Sequence, residues 1–341
     1  MRPHLLGRQD MPEGAVSFFV PHSGCEHLCS FCDQRSISGE ATPPSTEEIR
    51  ARLRAALTQH GKNAKKMQAA FFGGSFTAIE PRNMHLMLRA AQIFCGEDGF
   101  SGIRFSTRPD CITPGILKDL AQYPIEDIEL GAQSMNDDVL RRNNRGHTAR
   151  DTVEAANLIQ MAGYRLTLQM MTGLPGDTPQ GALETAWRLA ELRPDAVRIY
   201  PTIVLNNTTL AQWYHNGEYI PQQFDEAVEQ CAELLGFFTR QDIPVIRIGL
   251  HETDSIRQNY VAGPYHPAFR ELCEGNVLFD KLVPLIEPLP QGVIYIKVHP
   301  KSISVLTGHE RRALLPLEEA GYYPIVVPDE GLGYLEVAVT A

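Results

Sequence analysis

Three cysteines lie close together near the N-terminus, at Cys25, Cys29 and Cys32, in the pattern C-x-x-x-C-x-x-C. The chain has seven cysteines in 341 residues, so this grouping indicates a site rather than scattered core thiols. Three thiolates can hold three irons of a four-iron cluster and leave the fourth iron open, whereas an electron-transfer cluster normally takes four cysteines. The spacing therefore favours a reactive iron–sulfur centre whose open iron binds a small molecule.

Two other interpretations fit the same cysteines. A zinc knuckle would need a fourth ligand, which His22 or His27 supplies by position, although zinc ribbons usually carry a second cysteine pair that this sequence lacks. Buried structural thiols are the weaker interpretation, since three of them in one polar loop serve no packing purpose. The remaining cysteines are predicted to be core or near-surface residues; they are Cys95, Cys111, Cys231 and Cys273.

The cysteine motif, with Phe31 directly before its last member, resembles the signature of the radical S-adenosylmethionine (SAM) superfamily. The resemblance implies a [4Fe-4S] cluster held by Cys25, Cys29 and Cys32, with SAM chelated at the open iron and Phe31 near its adenine. It also implies that one electron, from reduced flavodoxin or a ferredoxin-type donor, cleaves SAM to a 5′-deoxyadenosyl radical. The cofactors supply the difficult chemistry, and the protein orients them and excludes water.

The elements that must position this loop alternate between strand and helix. Capping residues predict four of the helix starts, at Ser45-x-x-Glu48, Thr113-Pro114, Thr148-x-x-Asp151 and Thr178. Alternation implies parallel strands joined by crossovers, and the resemblance implies a partial (β/α)6 barrel over residues 1–250 with a small C-terminal α/β lobe over 251–341. The predicted barrel strands are Ala15–Val20, Gln68–Phe72, Gly102–Thr107, Glu126–Gly131, Arg165–Met171, Ala196–Pro201 and Pro244–Leu250.

Candidate site residues follow from the rule that the C-terminal ends of parallel strands build the site. By resemblance, Gly73-Gly74-Ser75 matches the Gly-Gly-Glu motif that binds the SAM amino group, with Ser75 departing from the acidic residue. Ser106, Gln133 and Gln169 are predicted ribose contacts by position. The resemblance assigns the SAM carboxylate to Arg145 and places Leu174, within Gly173–Gly176, against the adenine. A tight turn or a polar loop remains the alternative for each of these segments.

Charged and aromatic residues on the strands give further candidates. Glu129 sits in an apolar strand, and burying it unpaired would be costly, so it is predicted either to pair with Arg198 or to face the substrate. Arg108 and Asp110 are candidate substrate contacts on the loop that follows the third strand. Tyr200 is predicted either to touch substrate or to lie at the rim with its hydroxyl in water.

Several phrases narrow the resemblance within the superfamily. The set is Ser106–Asp110, Leu130–Ser134, Asn144–Thr148, Met171–Gly176, Tyr200–Thr202 with Leu210–Tyr219, and Val261–Glu271. Together they resemble the radical SAM half of the Elongator catalytic subunit, which modifies the wobble uridine of transfer RNA, so the resemblance implies an RNA or nucleotide-containing substrate. Two departures are the more compact cysteine spacing and the short stretch after Glu271, which predicts that the acetyltransferase domain is absent. The alternatives are a small-molecule enzyme similar to coproporphyrinogen oxidase, or a non-catalytic iron–sulfur or zinc protein that binds RNA.

The C-terminal region carries a local excess of basic residues in an acidic chain. The net charge is −10, which argues against wholesale coating of nucleic acid. The basic residues are Lys297, His299, Lys301, His309, Arg311 and Arg312. Ser302–Ala320 is predicted to form a helix, a turn at Gly308–Arg311 and a second helix, an order that is similar to a KH-like RNA-binding module. Because the chain is acidic overall, the favoured interpretation is instead a small capping α/β lobe that covers the open edge of the barrel. No apolar run has the length of a membrane span and no signal-peptide pattern is present, which predicts a cytoplasmic protein that meets no membrane.

Overall fold

A seven-stranded parallel sheet forms the main body of the protein. The computed structural model describes residues 12, 14–21, 25, 28–33, 42–250, 252–308 and 313–341. The strands are β1 (Gly14–Val20), β2 (Met67–Gly73), β3 (Gly102–Thr107), β4 (Ile125–Gln133), β5 (Arg165–Thr172), β6 (Ala196–Pro201) and β8 (Val245–Ile248). Their order in the sheet is β1-β2-β3-β4-β5-β6-β8, so each strand lies beside the next, and β1 and β8 are the two edge strands. The predicted strands are thus confirmed within one or two residues at each end.

Helices follow most of these strands, as crossover connections between parallel strands require. Those of the main body are α1 (Thr46–His60), α2 (Pro81–Gln92), α3 (Pro114–Leu120), α4 (Asp137–Arg142), α5 (Ala149–Met161), α6 (Pro179–Glu191), α7 (Thr209–His215), α8 (Phe224–Arg240) and α9 (Asp254–Asn259). A two-stranded antiparallel ribbon, β7 (Val204–Leu205) with β9 (Tyr260–Ala262), lies beyond β6.

The predicted caps account for the helix starts. The Ser45 hydroxyl accepts a hydrogen bond from the Glu48 N–H at 3.1 Å. Thr148 and Asp151 form a reciprocal capping box at α5, with the Thr148 N–H donating to the Asp151 carboxylate at 2.7 Å. In this way side-chain oxygens accept hydrogen bonds from the first N–H groups of each helix. Replacing such a capping residue with alanine lowers stability by about 1 kcal/mol.

A second, three-stranded sheet forms the C-terminal lobe. Strand β10 (Gly292–Val298) lies between β11 (Tyr322–Pro328), which is parallel to it, and β12 (Val337–Thr340), which is antiparallel. Two short helices, α11 (Ile303–Thr307) and α12 (Leu315–Glu319), fall where a helix, turn and helix were predicted. The turn between them, with His309, Arg311 and Arg312, lies outside the described residues.

The two sheets are joined by one helix that the sequence analysis did not predict, α10 (Phe269–Ile286). It lacks a side-chain cap at its start and contains Pro284, so the usual signals are absent. One hydrophobic core includes residues of both sheets and of α10, for example Phe71, Leu278 and Ile296, all fully buried. The division at residue 250 stays a prediction, because the apolar core continues across it.

None of the helices in the described part of the chain is long and apolar enough to cross a membrane.

Candidate functional site

One cavity lies at the C-terminal ends of β1 to β5 and collects most of the predicted site residues. Ten of the twelve residues predicted to bind cluster or SAM line it. The lining residues are Cys25, Leu28, Cys29, Cys32, Gly73, Gly74, Ser75, Ser106, Thr107, Arg108, Glu129, Gly131, Gln133, Arg145 and Gln169. These residues come from strand ends and loops that are far apart in sequence, so only the parallel topology brings them together.

The three thiols of the motif all face this cavity. The Cys32 N–H donates to the Cys29 carbonyl at 3.2 Å, which folds the loop back on itself. The Cys25 sulfur lies 4.0 Å from the Ser75 hydroxyl. Burial raises the pKa of the Cys32 thiol well above its ordinary value, and the nearby Cys29 and Cys25 raise it further. Three half-buried thiols that interact electrostatically have the donor chemistry of an iron–sulfur site, since a bound metal would keep them as thiolates.

The zinc alternative depends on residues that the structure leaves undescribed. Within the described ranges, no three His, Cys, Asp or Glu side chains form a group that would hold a single metal ion. The histidines proposed as a fourth ligand, His22 and His27, both lie outside those ranges.

The loop between α4 and α5 fixes the cysteine loop in place. The Asn143 carbonyl accepts from the Ser30 N–H at 3.1 Å, and the Asn143 side-chain oxygen accepts from the Ser30 hydroxyl at 2.7 Å. Asn144 donates to the Leu28 carbonyl at 2.8 Å. Arg145 donates to the Cys29 sulfur at 3.2 Å and to the Gly131 carbonyl at 2.7 Å. Three consecutive residues therefore hold the segment that carries two of the three cysteines. Of these three residues only the arginine is predictable from the sequence, because an amide that bonds a distant loop leaves no periodic signal.

The turn after β2 brings backbone to the cavity. Gly73 has φ +111°, and a Cβ there would lie 3.0 Å from the Val20 carbonyl oxygen, so any larger residue would strain the turn. The Gly74 N–H donates to that same oxygen at 2.8 Å, which ties the end of β2 to the end of β1. Ser75 is fully buried against the cysteine loop.

A pair of amides forms another wall. Gln133 and Gln169 exchange two hydrogen bonds, at 2.9 Å and 2.7 Å. Gln133 has φ +64° and follows a break in the register between β4 and β5 at Gly131, which turns its side chain toward β5. A Cβ at Gly131 would lie 2.9 Å from the Gln133 amide nitrogen and 3.4 Å from an Arg145 nitrogen. Glycine at this position therefore leaves a polar niche open beside the thiols.

Buried charges surround the niche. One oxygen of Glu129 lies 2.9 Å from Arg198 and 3.3 Å from Arg104, so the predicted pair with Arg198 is confirmed and has a second, unpredicted partner. Arg108 binds Asp110 with two hydrogen bonds, at 3.0 Å and 2.6 Å. Burial raises the pKa of Asp110, but these bonds and the charge of Arg108 outweigh it and lower the pKa.

Two predicted residues lie beside the cavity without lining it. Leu174 packs in a small apolar cluster with Val139 and Met171, and Phe31 packs against that cluster. Their predicted contact with an adenine remains a prediction. His147 is buried behind the amide wall, where burial and the charge of Arg145 lower its pKa to about 4.

Comparisons with known proteins agree with this geometry. Residues 19–189, half of the chain, match the sequence model of the Radical SAM superfamily, and residues 194–277 match that of the Radical_SAM C-terminal domain. Mouse Elongator complex protein 3 is 28% identical over 217 residues, which are 55% of this chain and 40% of that protein. The tRNA uridine(34) acetyltransferase of Dehalococcoides mccartyi is 29% identical over 167 residues, 46% of this chain and 36% of that protein.

A solved structure shows the same fold. The archaeal Methanocaldococcus infernus Elp3, with an N-terminal deletion, superposes with a TM-score of 0.63 at 20% identity, covering 80% of this chain and 64% of that one. The chain therefore spans less than half of these sequence relatives and under two thirds of the solved chain. The predicted radical SAM half-barrel with a small C-terminal lobe is confirmed. On the family match, the cysteine motif and this fold, the chain is an enzyme of the radical SAM superfamily.

Proposed function

We propose that Cys25, Cys29 and Cys32 hold a [4Fe-4S] cluster and that the adjoining niche binds S-adenosylmethionine. The observation that carries this is the convergence of the three thiols, the Gly73 turn and the glutamine pair on one cavity. When bound, the cluster and SAM supply a one-electron cleavage of the sulfonium bond, giving methionine and a 5′-deoxyadenosyl radical. The electron is proposed to come from reduced flavodoxin or a ferredoxin-type protein.

The residues around the niche suit the polar ends of such a ligand. Arg145 keeps its guanidinium beside the Cys29 thiol, and its Nε has no hydrogen-bond partner in the described part of the chain. A carboxylate at that position would gain a charge-assisted hydrogen bond. The glutamine pair offers amide groups that hydroxyls can bind, and Gly131 leaves the space beside them open.

We further propose that the substrate is RNA. The support is the similarity to a protein named as a tRNA uridine(34) acetyltransferase, together with the basic residues at the end of β10. Those described are Lys297, His299 and Lys301, and the last of these is exposed. Phosphate contacts of that kind make binding steeply dependent on salt.

The first experiment tests the cofactor chemistry. Full-length protein is reconstituted anaerobically with iron and sulfide, reduced, and incubated with SAM, and 5′-deoxyadenosine is measured. Cys29→Ala should abolish the product, whereas Cys95→Ala, which replaces a half-buried cysteine whose thiol donates to the Ala91 carbonyl at 3.7 Å, should retain it. Absence of product from the wild-type protein, or persistence in Cys29→Ala, would refute the proposal.

The second experiment tests the RNA substrate. Affinity of the full chain for an unmodified transfer RNA transcript is measured at 50 mM and 200 mM KCl, where several phosphate contacts predict a loss of about tenfold or more. Lys301→Glu should reduce the salt slope by about one, and Lys118→Glu, which changes an exposed lysine of α3, should leave it unchanged. Failure to bind at the lower salt would remove RNA from the proposal and leave the radical chemistry standing.

A further inference from the structure

Two arginines lie side by side on neighbouring strands of the main sheet. Arg198 on β6 and Arg247 on β8 are register partners on neighbouring parallel strands, so their side chains lie on the same face. That face is the one turned to the cavity, because Arg198 contacts Glu129, which lines it. Gln169, another lining residue, is the register partner of Arg198 on β5. Arg198 and Arg247 thus extend the same face of the sheet by one and two strands, beyond the residues that line the cavity itself.

Arg198 is held by several neighbours. Its Nε lies 2.9 Å from the Glu129 carboxylate, its Nη1 donates to the Tyr200 hydroxyl at 3.2 Å, and its guanidinium carbon lies 5.3 Å from the centre of the Phe72 ring. Glu129 uses the same oxygen to contact Arg104. One carboxylate is therefore shared by two guanidinium groups, and it has little capacity for a third.

Arg247 has no carboxylate partner anywhere among the residues described, and its Nε is buried without a hydrogen bond. The charged groups nearest to it are Arg198 and Arg270, with the Tyr200 phenol beside them, and Arg270 is itself bound to Glu274 at 2.8 Å. Burial, together with these like charges, lowers the pKa of Arg247. An unpaired cation in a partly buried position is destabilising unless something compensates its charge.

We propose that Arg247 and Arg198 form a subsite for an oxyanion, a phosphate or a carboxylate, on the substrate. The guanidinium fork binds such groups with two parallel hydrogen bonds, and Arg198 is already oriented by Glu129 and Tyr200. The subsite lies along the sheet from the Gln169 wall, so it would hold a substrate group beside the niche assigned to SAM. The position of the subsite beside bound SAM rests on the proposed function, but the binding of an oxyanion by the two arginines needs neither the cluster nor SAM.

The test measures anion binding by the full-length protein through thermal shift and isothermal titration. Inorganic phosphate and succinate are the two probes, with potassium chloride at matched ionic strength as the blank. Wild-type protein should bind at least one probe, and Arg247→Gln should weaken that binding roughly ten- to hundredfold, the effect of losing a hydrogen bond to a charged group. Arg150→Gln removes an exposed guanidinium that pairs with Glu154 on the outer surface of α5 and is the matched control, which should bind like the wild type.

The preference between the probes identifies the source of the oxyanion. Stronger binding of phosphate indicates a phosphate-bearing substrate, and stronger binding of succinate indicates a carboxylate. Equal binding in the wild type and in Arg247→Gln, or no binding of either probe, would overturn the proposal. So would a large fall in the melting temperature of Arg247→Gln without any anion, since an unpaired cation kept for a ligand should cost little to remove. Because 5′-deoxyadenosine formation is measured separately, failure here would leave the proposed radical chemistry intact.

Discussion

Replacing Asn143 with alanine should loosen the cysteine loop and lower the stability of the whole chain. The side chain is fully buried and makes three hydrogen bonds, to the Val139 carbonyl at 2.8 Å, the Pro175 carbonyl at 3.0 Å and the Ser30 hydroxyl at 2.7 Å. At about 1 kcal/mol for each lost bond, the free energy of unfolding should fall by about 3 kcal/mol. An unfolding entropy of roughly 2.1 cal/mol/K per residue converts this into a melting temperature lower by about 4 °C.

Two measurements separate loss of stability from loss of the cysteine loop. Thermal melts of Asn143→Ala are compared with those of Asn216→Ala, which removes an exposed bond to Glu218 at 3.1 Å and should change the free energy of unfolding by less than about 0.5 kcal/mol. Iron bound per chain after reconstitution is measured for both variants, and it should fall only in Asn143→Ala. Equal melting temperatures would refute the hydrogen-bond argument. A lower melting temperature with unchanged iron content would refute the role in positioning the loop.

Two further predictions concern the buried charges. Glu129→Gln removes the only carboxylate charge that directly contacts both Arg104 and Arg198 among the described residues, and it should lower the free energy of unfolding by about 3 kcal/mol in urea melts. Glu154→Gln, from an exposed pair, should cost under about 1 kcal/mol, and similar costs for the two variants would contradict the burial argument. The pKa of His147 is lowered from 6.5 to about 4 in the folded protein, so the unfolded chain takes up the proton first as the pH falls. Between pH 6.5 and pH 4, this difference lowers the free energy of unfolding by up to about 3 kcal/mol. Melts of His147→Gln should therefore fall less steeply over that interval than melts of the wild type, and parallel profiles would show that His147 is neutral in both states or charged in both.

The sequence was sufficient for the order of elements and for the residues at strand ends. Gly73, Ser106, Gln133 and Gln169 were placed at the cavity because strand ends of a parallel sheet share one edge, and that rule needs only the strand positions. The pairing of Glu129 with Arg198 followed from the cost of burying a lone carboxylate. Such predictions succeed where one physical rule acts on a local pattern.

Contacts that depend on strand stagger or on distant loops could not be predicted from the sequence in the same way. Arg104, the second partner of Glu129, lies on the adjacent strand β3. Which residue of β3 reaches Glu129 depends on how the two strands are staggered. The role of Asn143 depends on a loop more than a hundred residues away in sequence. Helix α10 was missed because tertiary burial, rather than capping residues, stabilises it. Phe31 and Leu174 were expected at the cavity but pack in the apolar cluster beside it.

The buried apolar residues of α10 limit where this protein can be truncated. Cys273, on that helix, is fully buried in the same hydrophobic core as the fully buried Cys231 of α8. A fragment that stops at residue 250 would present the facing side of α8 to water, and an exposed surface of that kind promotes aggregation. Expression fragments meant to isolate the half-barrel should therefore extend at least through Ile286.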